Sequence, residues 1–139
     1  MALRRDAKIE LLKKVPLFAG CSKSELSQLA KTADELDVRE GTVLTREGKA
    51  GREFFVLISG TAKVTKNGRK VTELGPGDWL GEIALITDSP RTATVTATSP
   101  VDLLVITDRR FRTVVETMPS IALKVLSSVG ERLSRDAHS

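Results

Sequence analysis

The sequence predicts a chain of mixed α+β class, mainly β: a sandwich or barrel of short strands with helices before and after it. Three observations carry this reading. Apolar residues recur every three or four positions near both ends, and the period falls to two from about Leu36 to Ile106. Turn residues interrupt that middle stretch at short intervals, at Glu40-Gly41, Glu47-Gly48, Ser59-Gly60, Asn67-Gly68, Gly75 to Asp78 and Ser99-Pro100. Many short strands joined by tight turns close into a sandwich or barrel because each strand alone buries only one face.

The elements follow in chain order. Ile9, Leu12 and Val15 share a helical face between Arg4 and Val15, and Pro16 stops that helix because it lacks an amide and fixes its φ. Ser22 and Glu25 have capping-box spacing, and Leu26, Leu29, Ala30 and Ala33 form the stripe of a second helix behind them. The clearest strand pair is the hairpin on Asn67-Gly68, whose two central residues tolerate positive φ; it sets Val64 opposite the region of Val71. After the strands, Asp108 caps a helix bearing Phe111, Val114, Val115 and Met118, and Pro119 opens a last helix. That helix carries Ala122, Val125, Leu126, Val129 and Leu133 as an apolar stripe fit for packing on the barrel or on a second copy, with Gly130 weakening it locally.

Composition narrows the function. With 139 residues there is room for one domain of ordinary size, and 40% apolar with 29% charged residues is a globular balance. The net charge of +4 is mildly basic, but the basic residues are scattered, which argues against nucleic acid as the partner. A single cysteine, Cys21, excludes an internal disulfide and a multi-cysteine metal site. The one histidine, His138, is penultimate, so histidine-based metal or nucleophilic catalysis has no residue to use. Neither a membrane span nor a signal sequence is legible, so a cytoplasmic, non-enzymatic protein without metal or cofactor is expected.

One stretch, Gly75 to Val95, departs from what a plain barrel needs. Gly77 and Gly81 admit backbone shapes closed to other residues, and Glu82 to Leu85 can form a single helical turn whose first amides point outward, a phosphate-holding arrangement. From Thr92 to Thr98 small apolar residues alternate with threonines, the odd positions facing the core. One further step back puts Arg91 inward, where a guanidinium needs an anion. Glu82 or Asp88 could supply it, Pro90 could break the alternation and turn Arg91 to solvent, or a ligand could bring it. Glu82 alone reads equally as an ordinary first-turn glutamate.

The pattern Gly77-Asp78, Gly81-Glu82-Ile83-Ala84-Leu85, Pro90-Arg91-Thr92-Ala93-Thr94-Val95 closely resembles the phosphate-binding cassette of cyclic nucleotide-binding domains, the family of catabolite-activator regulators, protein kinase A regulatory subunits and cyclic-nucleotide-gated channels. Pro16-Leu17-Phe18, Gly41, Gly60 and the closing helical pair extend the resemblance over nearly the whole chain. It implies an antiparallel β-roll or jelly-roll barrel in a single domain, with helices over 1–34, the roll over 35–107 with its cassette at 77–95, and a helical pair over 108–135.

The resemblance also implies roles. Arg91 would clamp the cyclic phosphate, and Glu82 would accept from the ribose 2′-hydroxyl. Gly81 and the amides near Ile83, Ala84, Thr92 and Ala93 would complete the cradle, and Arg132 of the last helix would stack on the purine. Thr92 would reach the phosphate or a guanine amino group, although strict alternation turns it away from Arg91. Trp79-Leu80 departs from the family, in which an aromatic directly precedes the glycine; the expectation is one shifted core contact away from the ligand. The implied ligand is cAMP, with cGMP also admitted. The implied output is an effector protein or fused domain not legible in these residues, and the closing helix is a candidate dimer surface. The alternative is the same fold used as a protein- or DNA-interaction module.

Overall fold

The change of period near Leu36 produces eight strands: β1 (Asp34–Val38), β2 (Val43–Thr45), β3 (Glu53–Ser59), β4 (Ala62–Lys66), β5 (Arg69–Leu74), β6 (Trp79–Leu80), β7 (Thr94–Ala97) and β8 (Val101–Thr107). The structure, a computed structural model, describes residues 3–138, without the side chains of 132 and 135–138. The strands form two four-stranded antiparallel sheets, in the orders β1-β8-β3-β6 and β2-β7-β4-β5. Phe55, Leu57 and Leu80 of the first sheet join Ala62, Val95 and Ala97 of the second in one apolar core, closed by Val101 and Leu103. Each large side chain withdrawn from water there contributes about 1.5–3 kcal/mol. This strand-rich unit runs from Asp34 to Asp108.

The β4–β5 hairpin turns on Asn67 (φ 51°) and Gly68 (φ 77°), as its sequence demands. Val64 lies opposite the region of Val71, as expected, but the register is broken there. Val64 faces Thr72, Thr65 faces Lys70, and Val71 is the extra residue of a bulge, exposed instead of paired. A bulge inserts one residue into one strand, which no alternation rule foresees.

The second unit combines the chain up to Ala33 with the chain from Arg109. It contains α1 (Arg5–Lys13), a 3-10 turn at Pro16–Phe18, α2 (Lys23–Thr32), α3 from Arg109 onward (the helix itself is Asp108–Thr117) and α4 (Ser120–His138). The capping box is complete: Ser22 Oγ accepts from the Glu25 amide at 3.2 Å, and the Glu25 carboxylate accepts from the Ser22 amide at 2.7 Å. Lys8 Nζ donates to the Ala33 carbonyl and Arg110 to the Thr32 carbonyl, so cations meet the negative end of α2. Phe18 and Phe111 meet with ring centroids 6.2 Å apart. The stripe on α4 divides: Val125 is buried, Ala122 and Val129 are half-buried, and Leu126 and Leu133 are about two-thirds exposed; outside the stripe, Ile121 is buried and Leu123 exposed.

Candidate functional site

The site is built where β6 ends. Trp79 and Leu80 pair with Val56 and Phe55 of β3, and the preceding turn is locked by Gly77 N to Leu57 O and Leu57 N to Asp78 O, both 2.8 Å. Gly81 then takes φ 80°, a conformation that strains any residue with a Cβ, and a 3-10 turn follows at Glu82–Leu85. Within it Ala84 and Leu85 are buried and Ile83 is exposed. The Ala84 amide already donates to the Gly81 carbonyl at 3.0 Å.

Arg91 reaches the interior by a route different from the alternation argument. β7 begins only at Thr94, so Arg91 belongs to an irregular segment. Its backbone is held by the loop between β2 and β3: Arg91 N donates to Lys49 O at 2.9 Å, and Gly48 N donates to Arg91 O at 2.8 Å. Thr45 Oγ1 donates to Ala93 O, and Glu47 N donates to Thr94 Oγ1, extending the same seam. The Arg91 side chain is only 9% exposed. Its Nη2 donates to the Glu53 backbone carbonyl at 2.7 Å and lies 3.6 Å from the Glu53 carboxylate, so of the internal partners left open by the sequence neither Glu82 nor Asp88 is the one it meets. Burial pushes the guanidinium below its ordinary pKa, and Glu53 works the other way.

A cavity of about 220 Å³ opens beside this guanidinium, lined by Gly81, Glu82, Ile83, Ala84, Arg91 and Thr92 together with Ser89 and Pro90. A neighbouring cavity of about 290 Å³ shares Gly81, Arg91 and Thr92 with it and has walls that include Ala93, Val64, Leu74 and Trp79. The structure thus brings together seven of the eight expected residues. The irregular start of β7 removes the conflict over Arg91 and Thr92, which line both cavities. The side chain of Arg132 lies outside the described residues. Trp79 forms part of the second cavity's wall, where only a core contact was expected.

Sequence reasoning missed Gly51 and Glu53, both from the loop and strand that enclose Arg91. Gly51 and Gly81 stand close against the guanidinium: a Cβ on Gly51 would collide with Arg91 Nε and Cζ, and one on Gly81 would collide with Nη1 and lie 2.8 Å from Glu53 O. The one available signal was a second glycine three residues after the Glu47-Gly48 turn. Among the described residues no cluster of three or more potential metal ligands exists, and no helix is long and apolar enough to cross a membrane.

Residues 35–118 match the family profile of the cyclic nucleotide-binding domain. The chain belongs to that family. It is 42% identical over 96 residues to a cAMP-dependent protein kinase regulatory subunit of Yarrowia lipolytica, covering 68% of this chain and 26% of the relative. It is 32% identical over 123 residues to a cyclic nucleotide-gated potassium channel of Rhizobium etli, covering 88% of this chain and 34% of the relative. The chain thus spans about a quarter of the first relative and about a third of the second. Among solved structures, the N-terminal domain of a transcriptional regulator from Streptomyces coelicolor superimposes with a TM-score of 0.84 at 28% identity, over 93% of this chain and 96% of that one. An antiparallel β-roll with flanking helices is the fold that the resemblance implied.

Proposed function

We propose that residues 1–139 act as one non-enzymatic, cytoplasmic sensor of a cyclic nucleotide, with cAMP preferred and cGMP admitted. The observation that carries this reading is the Arg91 guanidinium, buried beside an open cavity with its nearest carboxylate contact at 3.6 Å. Such a group has strong unmet attraction for a phosphodiester and a fixed direction from which to receive it. Arg91 clamps the exocyclic phosphate oxygens, and Glu82, on the same cavity wall, accepts from the ribose 2′-hydroxyl. Gly81 and the amides around Ile83, Thr92 and Ala93 approach the sugar and phosphate, and the Ala84 amide joins them only by leaving the Gly81 carbonyl to which it donates in the free protein. Arg132, whose side chain lies outside the described residues, is the residue the resemblance offers for the base.

The mostly apolar wall of the second cavity suits a purine face and asks little base-specific bonding, which favours adenine; Thr92, lining both cavities, keeps guanine available. Ligand binding repositions the C-terminal helices, and their changed surface is read by an effector protein or a fused output domain. By linkage, an effector that prefers the liganded state must raise nucleotide affinity by the same factor. The exposed Leu123, Leu126 and Leu133 of α4, at three-and-seven spacing with Gly130 between, offer a self-complementary seam to a second copy.

The test is side-by-side calorimetric titration with cAMP and cGMP, paired with thermal unfolding. A cyclic nucleotide at a hundredfold excess over its Kd should stabilise the protein by about 2.7 kcal/mol. Absence of any shift with either nucleotide, alongside binding to DNA or protein, would assign the fold to an interaction module instead.

A further inference from the structure

The loop between β2 and β3 does more than connect strands. It holds the Arg91 backbone from both sides through Gly48 and Lys49, then crosses the guanidinium at Gly51, and its continuation supplies the Glu53 carbonyl to Nη2. A Cβ on Gly51 would occupy the space of Arg91 Nε and Cζ and lie 2.6 Å from Nη2. The obstruction is the far end of the Arg91 side chain, which can give way only by leaving the buried pose in which Nη2 donates to Glu53 O at 2.7 Å. Gly51 itself does not have a positive φ, so the backbone there accepts alanine without strain; the absence of a side chain is required by the guanidinium alone.

We infer that Gly51 is a positioning residue for the phosphate clamp: its missing side chain makes the slot that fixes the pose in which Arg91 meets the ligand. This rests on the ligand reading given above, which assigns Arg91 but nothing in the β2–β3 loop. A guanidinium is useful only in register with its anion, since the fork of donors must match the oxygens in direction as well as distance. Gly81 forms the opposite wall, but with φ 80° a substitution there would disturb the backbone too, so Gly51 is where the slot can be closed cleanly.

The experiment is a double-mutant cycle of Gly51→Ala and Arg91→Ala, with Gly75→Ala as the control. Gly75 has no atom within 4 Å of an added Cβ and no positive φ. Thermal unfolding without ligand and titration with cAMP are read on all variants. Gly51→Ala should weaken cAMP binding about thirtyfold or more, approaching the loss caused by Arg91→Ala. The double variant should bind no worse than Arg91→Ala alone, because the residue that Gly51 positions is already gone. In the melts, Gly51→Ala should lower the midpoint in the parent and leave it unchanged in the Arg91→Ala background, where the added methyl meets no guanidinium. Additive losses of affinity, or an equal fall in midpoint in both backgrounds, would overturn the inference and make Gly51 an ordinary loop residue. Failure of the parent to bind any cyclic nucleotide would sink the ligand reading, and the melting cycle would still decide whether the slot exists.

Discussion

Replacing Arg91 by alanine separates a residue kept for a ligand from one kept for the fold. In the free protein the guanidinium makes one charge-assisted hydrogen bond, to the Glu53 carbonyl at 2.7 Å, and has a carboxylate at 3.6 Å. A bond of that kind contributes about 1.5–3 kcal/mol. Against it stands the burial of a charge whose side chain is 9% exposed, the cause of its lowered pKa. The two effects have opposite sign and similar size, so Arg91→Ala should move the stability of the free protein by no more than about 1 kcal/mol.

With a cyclic phosphate in place the balance changes, because the alanine variant leaves a desolvated anion unpaired. That should weaken binding by about 2–5 kcal/mol, or about thirty- to five-thousandfold in Kd. Arg91→Lys should recover little, since an ammonium cannot reproduce the planar fork. The assays are calorimetric titration with cAMP and urea unfolding of the free protein. Unchanged Kd together with a loss of stability of about 3 kcal/mol or more would refute the reasoning and make Arg91 a strut between Glu53 and the β2–β3 loop.

Three further outcomes follow from the structure. If Glu82 reads the ribose, 2′-deoxy-cAMP should bind more weakly than cAMP by about 1.5–3 kcal/mol, the worth of a hydrogen bond to a charged group, and Glu82→Ala should abolish the difference; equal binding by the parent assigns Glu82 to the turn. The Glu25 carboxyl is held below its ordinary pKa by the Ser120 hydroxyl first and the Ser22 amide next, so its stabilisation is whole above about pH 4.3 and is lost as pH falls through the lowered value. Unfolding midpoints measured from pH 7 to pH 3 should therefore decline less steeply at the acid end in Glu25→Gln than in the parent, and identical profiles would remove Glu25 from the account. Leu126→Lys should convert a dimer to a monomer in light scattering and lower the melting midpoint only to that of the diluted, dissociated parent, because Leu126 is 67% exposed within one copy; a parent that is already monomeric at high concentration refutes the seam.

Local rules found the local features. Ser22 with Glu25, Asn67-Gly68 and the Gly77 and Gly81 positions are each fixed by hydrogen bonds or φ values within a few residues, and all were legible without a structure. The site was legible as a motif, yet the reason Arg91 points inward was not. Alternation placed it correctly from a strand that does not extend that far, whereas the actual restraint comes from Gly48, Lys49, Gly51 and Glu53, about forty residues earlier in the chain. Contacts between irregular segments leave no period to read. Sheet order was hidden for a related cause: β1 pairs with β8 across the length of the unit, and Trp79–Leu80 is too short a strand to announce itself by alternation. The bulge at Val71 and the division of the α4 stripe depend on what covers each face, which the one-dimensional pattern does not contain.

Trp79 gives the protein an internal reporter. It is the chain's only tryptophan, no tyrosine is present, and it is one of the residues lining the 290 Å³ cavity. Intrinsic emission therefore comes almost wholly from one chromophore, at the place where a purine would replace water. Occupancy can be followed in real time on unlabelled protein, so the speed of capture and release is open to stopped-flow fluorescence.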